Sequence, residues 1–142
     1  MKTSFFKTGN AAIILCFCFN LGSMAQSAAD NIGSKQGFDN VIVAFKAGDA
    51  SAIAKNFEGN VEITIKTGGT SYSKGQAEMV LKSFFSAHKP KSFTVAHEGT
   101  SPQGSKYFIG NLTTPTGNYR TYVYAKTIKN ELVIQEIRFE EQ

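Results

Sequence analysis

From Ser92 to the C-terminus the chain carries four extended apolar runs with almost nothing between them, and this constrains the fold more than any other feature. Phe93 to Glu98, Tyr107 to Thr114, Tyr119 to Ile128 and Leu132 to Phe139 are dense in aromatic and β-branched residues, which suit a pleated, half-buried surface. The separators are short and chemically apt for reversal. Ser101-Pro102-Gln103-Gly104 fits a type I turn, Pro115-Thr116-Gly117-Asn118 a slightly longer loop, and Lys129-Asn130 a two-residue hairpin. Parallel neighbours need crossovers of about a dozen residues or more, so these links predict consecutive antiparallel hairpins.

Upstream the period changes. Phe38, Val41, Ile42 and Phe45 fall at i, i+3, i+4 and i+7, one face of a helix that Gly48 can end in the left-handed conformation. Asp49 reads as the N-cap of a shorter helix carrying Ile53 and Phe57. Val61, Ile63 and Ile65 then alternate with polar residues, Gly68-Gly69 supplies a tight turn, and Ser71-Tyr72 begins the return. Ser73 and Gln76 have capping-box spacing ahead of Ala77, Val80, Leu81, Phe84, Phe85 and His88 on one helical face, which Pro90 stops. The predicted class is α+β: one domain over residues 36–142, with three helices packed on one face of a curved antiparallel sheet.

The N-terminus predicts export. Lys2 and Lys7 precede an apolar run from Ala11 to Phe19 and a small-residue cleavage site at Ser23-Met24-Ala25. Residues 1–25 thus read as a signal peptide cleaved after Ala25, residues 26–35 as a flexible lead-in, and the destination as the periplasm or the medium. Cleavage removes Cys16 and Cys18, leaving no thiol for a disulfide or a metal. Acylation of either cysteine would make a lipoprotein, but bulky Leu15 and Phe17 precede them. The apolar run is shorter than the ~18 residues a spanning helix needs, so the mature chain is expected not to insert in a membrane.

Without Lys2 and Lys7 the fifteen Lys and Arg become thirteen, against eleven Asp and Glu. That weak balance, with only Lys89 and Lys91 clustered, argues against a nucleic-acid partner. The two histidines have no metal spacing and the carboxylates form no cluster, so no metal or cofactor is expected.

The order of elements resembles the nuclear-transport-factor-2-like (cystatin-like) cone, and more closely a family of small exported bacterial domains of unknown function within that superfamily. The likeness spans about residues 36–141 and rests on Tyr72-Ser73-Lys74-Gly75-Gln76-Ala77-Glu78, His97-Glu98-Gly99, Tyr107 to Thr114, Tyr119-Arg120-Thr121-Tyr122 and Ile134-Gln135-Glu136-Ile137-Arg138. It implies a conical space between sheet and helices, used by some superfamily members for isomerase or dehydratase chemistry and by others for binding or dimer contacts. Aligned with the ketosteroid-isomerase-like members, Val41 falls where they carry a tyrosine donor and Ile63 near their aspartate base. Both are apolar here, which removes that mechanism.

Folding the last two hairpins about Thr116-Gly117 and Lys129-Asn130 puts Tyr107, Ile109, Asn111, Arg120, Tyr122, Tyr124, Val133, Gln135 and Ile137 on one face. Phe108, Leu112, Val123, Leu132 and Ile134 take the other. Tyr107, Asn111, Arg120, Tyr122, Tyr124 and Gln135 are the candidate ligand-binding set, with no catalytic residue among them, because polar-tipped rings suit pockets and interfaces alike. In this register Arg138 points away from Arg120, and pairing with Glu136 or Glu140 is its ordinary use. The leading expectation is non-catalytic binding of a small, partly apolar ligand or a protein partner. One alternative is a pocket enzyme of isomerase, dehydratase or hydrolase type using His97 or Tyr107. Another is a homodimeric scaffold, in which the same tyrosines meet a second subunit.

Overall fold

The computed structural model describes residues 37–142. The expected signal peptide, its cleavage site, both cysteines and the lead-in lie outside the described residues. α1 (Asp39–Ala47) ends at Gly48, whose φ of 66° and ψ of 30° give the left-handed cap. α2 (Ala50–Ala54) starts from Asp49, whose carboxylate accepts the Ala52 N–H at 2.9 Å. α3 (Lys74–Ala87) follows Ser73, and the Gln76 side-chain oxygen reaches back to accept from the Ser73 N–H at 3.1 Å.

The strands are β1 (Phe57–Ile65), β2 (Gly69–Ser73), β3 (Ser92–Thr100), β4 (Ser105–Thr114), β5 (Gly117–Ile128) and β6 (Glu131–Glu141). They form one sheet in the order β2-β1-β6-β5-β4-β3. The predicted hairpins are all present: Lys129 and Asn130 both take positive φ, as a two-residue turn matching strand twist requires. The β4–β5 link is shorter than expected, because Gly117 and Asn118 already pair with Thr114 and Thr113. Phe57 opens β1 rather than closing α2, its partner being Ile134. The sheet is mixed rather than wholly antiparallel, since β1 docks parallel to β6 after the long path through β2 to β5.

The helices cover one face. Phe45, fully buried, touches Phe85, Phe93, Phe108 and Phe139, with ring centroids 5.2–6.2 Å apart. Phe84 stacks on Phe139 at 4.1 Å. Val41 and Ile63 join Leu81, Leu112, Val123, Ile134 and Ile137 in the same cluster. Side chains thus fill the space beneath the helices, the ordinary way such layers exclude water.

Candidate functional site

Two β-bulges decide what the opposite face presents. One, in β3, falls between Val95 and His97; the other, in β6, leaves Gln135 unopposed between the pairs Tyr124–Glu136 and Ala125–Ile134. Each inserts one residue and reverses the inside-outside alternation beyond it. The β6 bulge turns Ile137 into the core opposite Val123 and brings Arg138 outward opposite Tyr122. The expectations that Ile137 shares the tyrosine face, and that Arg138 and Arg120 point apart, are therefore corrected.

The outward residues form three rows across the strands. Gly99, Tyr107, Tyr124, Glu136 and Glu62 make the first; His97, Ile109, Tyr122, Arg138 and Thr64 the second; Thr94, Asn111, Arg120 and Glu140 the third. Of the candidate set, Tyr107, Asn111, Arg120, Tyr122 and Tyr124 come together here, and Gln135 sits at the bulge beside them.

The rings lie across the sheet. Gly99 makes room for this, since a Cβ there would collide with the Tyr107 ring. The Tyr107 hydroxyl lies 3.1 Å from His97 Nε2, and its ring is 6.1 Å from that of Tyr122 at a 30° tilt. Arg138 stands over the Tyr122 ring at 5.8 Å. Its guanidinium is held by Glu136 at 2.5 Å and approached by Glu140 at 3.9 Å. Partial burial, reinforced by Glu136, holds the Tyr122 hydroxyl above its ordinary pKa of 10.0. The pairing of Arg138 with Glu136 and Glu140 is the expected one, but the alternation rule hid its place on this face, because nothing in Ile134-Gln135-Glu136 marks a bulge; Glu62 was not foreseen here.

The remaining titratable candidates sit apart. His97 and Glu98 fall on opposite faces, Glu98 pairing with Phe108. His88, expected on the helical face, stands one residue further on as the C-cap of α3, and it reaches well beyond the helix: Nδ1 lies 2.6 Å from Thr116 Oγ1 and 3.1 Å from the Tyr119 hydroxyl. An open cleft of about 350 Å³ between the start of α1 and the β3–β4 end is lined by Phe38, Glu98, Thr100, Lys106 and Tyr107. Among the described residues no three His, Cys, Asp or Glu side chains are grouped as a metal site, and no helix is long and apolar enough to cross a membrane.

The sequence model of a family described as a domain of unknown function (DUF4783) matches residues 38–140. A DUF4783 family protein from Bacteroides uniformis is 35% identical, covers 72% of this chain and 94% of its own, and superposes with a TM-score of 0.69. One from Bacteroides ovatus is 28% identical, covers 77% and 98%, and reaches a TM-score of 0.73. An NTF-2 like protein of unknown function from Silicibacter pomeroyi shares the fold at a TM-score of 0.52, with 8% identity over 72% of this chain and 87% of its own. No curated protein matches the chain.

Proposed function

The chain belongs to the DUF4783 family, a domain of unknown function with the nuclear-transport-factor-2-like fold, and from that premise we propose an exported, non-catalytic binding domain whose working surface is the helix-free face of its sheet. One observation carries the reading: half-buried tyrosines and the Arg138–Glu136 pair line the face that α1, α2 and α3 leave uncovered, while Phe45 and its neighbours fill the other side. Fold alone assigns no activity. Ring-rich surfaces that carry paired charges favour a protein partner over a small ligand, which needs a concave seat. The enzyme alternative would use His97 or Tyr107: Tyr107 borders the open cleft beside α1, but its hydroxyl lies 3.1 Å from His97 on the helix-free face, and among the described residues no third titratable side chain bonds to that pair.

Native mass spectrometry of the protein purified from its own envelope tests the proposal. A bound mass is expected that Tyr122→Glu removes and Met79→Glu, on the far side of α3, does not. A bound mass indifferent to Tyr122→Glu contradicts the surface, and an N-terminus upstream of Gln26 on the purified protein contradicts the export step.

A further inference from the structure

We propose that a notch beside the β5–β6 turn binds a small carboxylic acid with an apolar tail, of short acyl or aryl type. The notch shares no residue with the tyrosine rows, so the inference goes beyond the reading above and does not depend on it. Three stretches of chain meet there: the α2–β1 junction at Lys55 and Phe57, the first residue of α3 at Lys74, and the β5–β6 turn with its flanks. They enclose about 280 Å³, close to the small end of ligand seats, which run from roughly 300 to 1,000 Å³.

The backbone departs from regularity on both sides of this space. Residues 58–61 of β1 stand opposite Gln135 alone on β6, with Gly59 at a φ of 66°, so β1 bows out from β6 just past Phe57. Across the notch, Lys129 holds a φ of 49°, a left-handed conformation that a lysine adopts at a cost and a glycine freely. The turn thus carries an ammonium group where its geometry favours glycine or asparagine. Strained positions of this kind gather at sites that bind.

The lining matches a tailed anion. Phe57, Leu132 and Val133 are buried and supply the apolar floor, and Ile128, 37% exposed, extends it toward solvent. Lys55, Lys74 and Lys129 bring three exposed ammonium groups from three different elements, and Glu58 and Glu131 bring two carboxylates. Among the described residues none of these five charges is in an ion pair. Three against two leaves one net positive charge, which suits a monoanion: an amine would meet three lysines, and a dianionic phosphate would meet both glutamates. Lysine stems lie along apolar surface while their ammonium groups stay at the rim, so a carboxylate finds its counter-charge there as its tail covers Phe57, Leu132 and Ile128. Pairs at an open rim add modestly, and the covered apolar area supplies the rest.

Titration of the purified protein with octanoate, followed by NMR, decides the matter, with octylamine and inorganic phosphate as counter-probes. Octanoate should saturate with a Kd of about 1 mM or tighter, and each counter-probe should bind at least about fivefold more weakly. The shifts should centre on the Phe57 ring and the Ile128 and Leu132 methyls. Lys129→Glu, and Lys55→Glu with Lys74→Glu, should each weaken octanoate about threefold or more, while Lys82→Glu, an exposed reversal outside the notch, should leave it within about twofold. Lys129→Gly relieves the left-handed lysine, so it should melt no lower than the wild type and still bind octanoate less tightly; it serves if a reversal disturbs the fold. No saturation by about 10 mM, octylamine binding as tightly as octanoate, shifts centred elsewhere, or full affinity in Lys129→Gly would overturn the proposal. Such a failure leaves the tyrosine face standing, since that reading answers to Tyr122→Glu.

Discussion

Replacing Thr121 by valine should stabilise the protein. Thr121 lies on the helix-covered side of β5, between Gly110 and Phe139 in register, and is fully buried. Its hydroxyl is buried and finds no hydrogen-bond partner among the described residues. Removing water from a hydroxyl that then makes no bond costs roughly 1–3 kcal/mol. Valine keeps the β-branched shape that suits a central strand and exchanges the hydroxyl for a methyl. The expected gain is about 1–2 kcal/mol, which for a domain near 100 residues raises Tm by about 4–8 °C per kcal/mol. Thr121→Ser keeps the stranded hydroxyl and deletes a methyl, so it should lose about 1 kcal/mol. Calorimetry with urea titration of the three proteins measures both signs. A loss of about 1 kcal/mol or more in Thr121→Val would refute the reasoning. The hydroxyl would then have a buried partner, and the cone would be a wet pocket rather than a packed core.

Gly99→Val should push the Tyr107 ring off the sheet, break its contact with His97 and weaken binding on that face; unchanged association would show that the ring's flat seat is irrelevant. His88→Ala strands the buried Tyr119 hydroxyl and frees the Thr116 turn, at an expected cost of about 1–3 kcal/mol in urea unfolding; a change near zero would make that link ornamental. Alkaline stability should fall for two reasons. Burial holds Tyr122 above its usual 10.0, and a hydrogen bond from Lys66 to Glu141 holds the lysine above its usual 10.5. Both groups keep their protons longer folded than unfolded. Their contribution is therefore whole below about pH 10 and lost as pH rises through the folded values. Urea melts from pH 8 to 11 should show the decline, shallower in Tyr122→Phe; an identical slope in that variant would remove Tyr122 from the account.

The parts of the fold that the sequence displays are those written locally. Gly48, Asp49 and the Ser73–Gln76 pair act within one turn of a helix, and Lys129-Asn130 needs only its own dihedrals. The parallel docking of β1 on β6 joins residues over seventy positions apart, and no short pattern encodes it. The candidate face was legible up to Gln135 because strict alternation holds through β4 and β5. Past the bulge the same rule inverts, which is why Ile137 was expected outside and Arg138 away from Arg120. His88 illustrates the complementary case: its place at the end of the helix, just before Pro90, was local and visible, its reach to Thr116 and Tyr119 was not.

Side-chain NMR of the purified protein, alone and titrated with extract of its own envelope, addresses the central claim most directly, because it reports which face changes environment on binding. Titration-dependent shifts of the Tyr107, Tyr122 and Tyr124 rings and the Arg138 guanidinium, with the rings of Phe45, Phe93 and Phe139 unmoved, are the expected result. Shifts confined to those phenylalanines, with the three tyrosines constant, would contradict it.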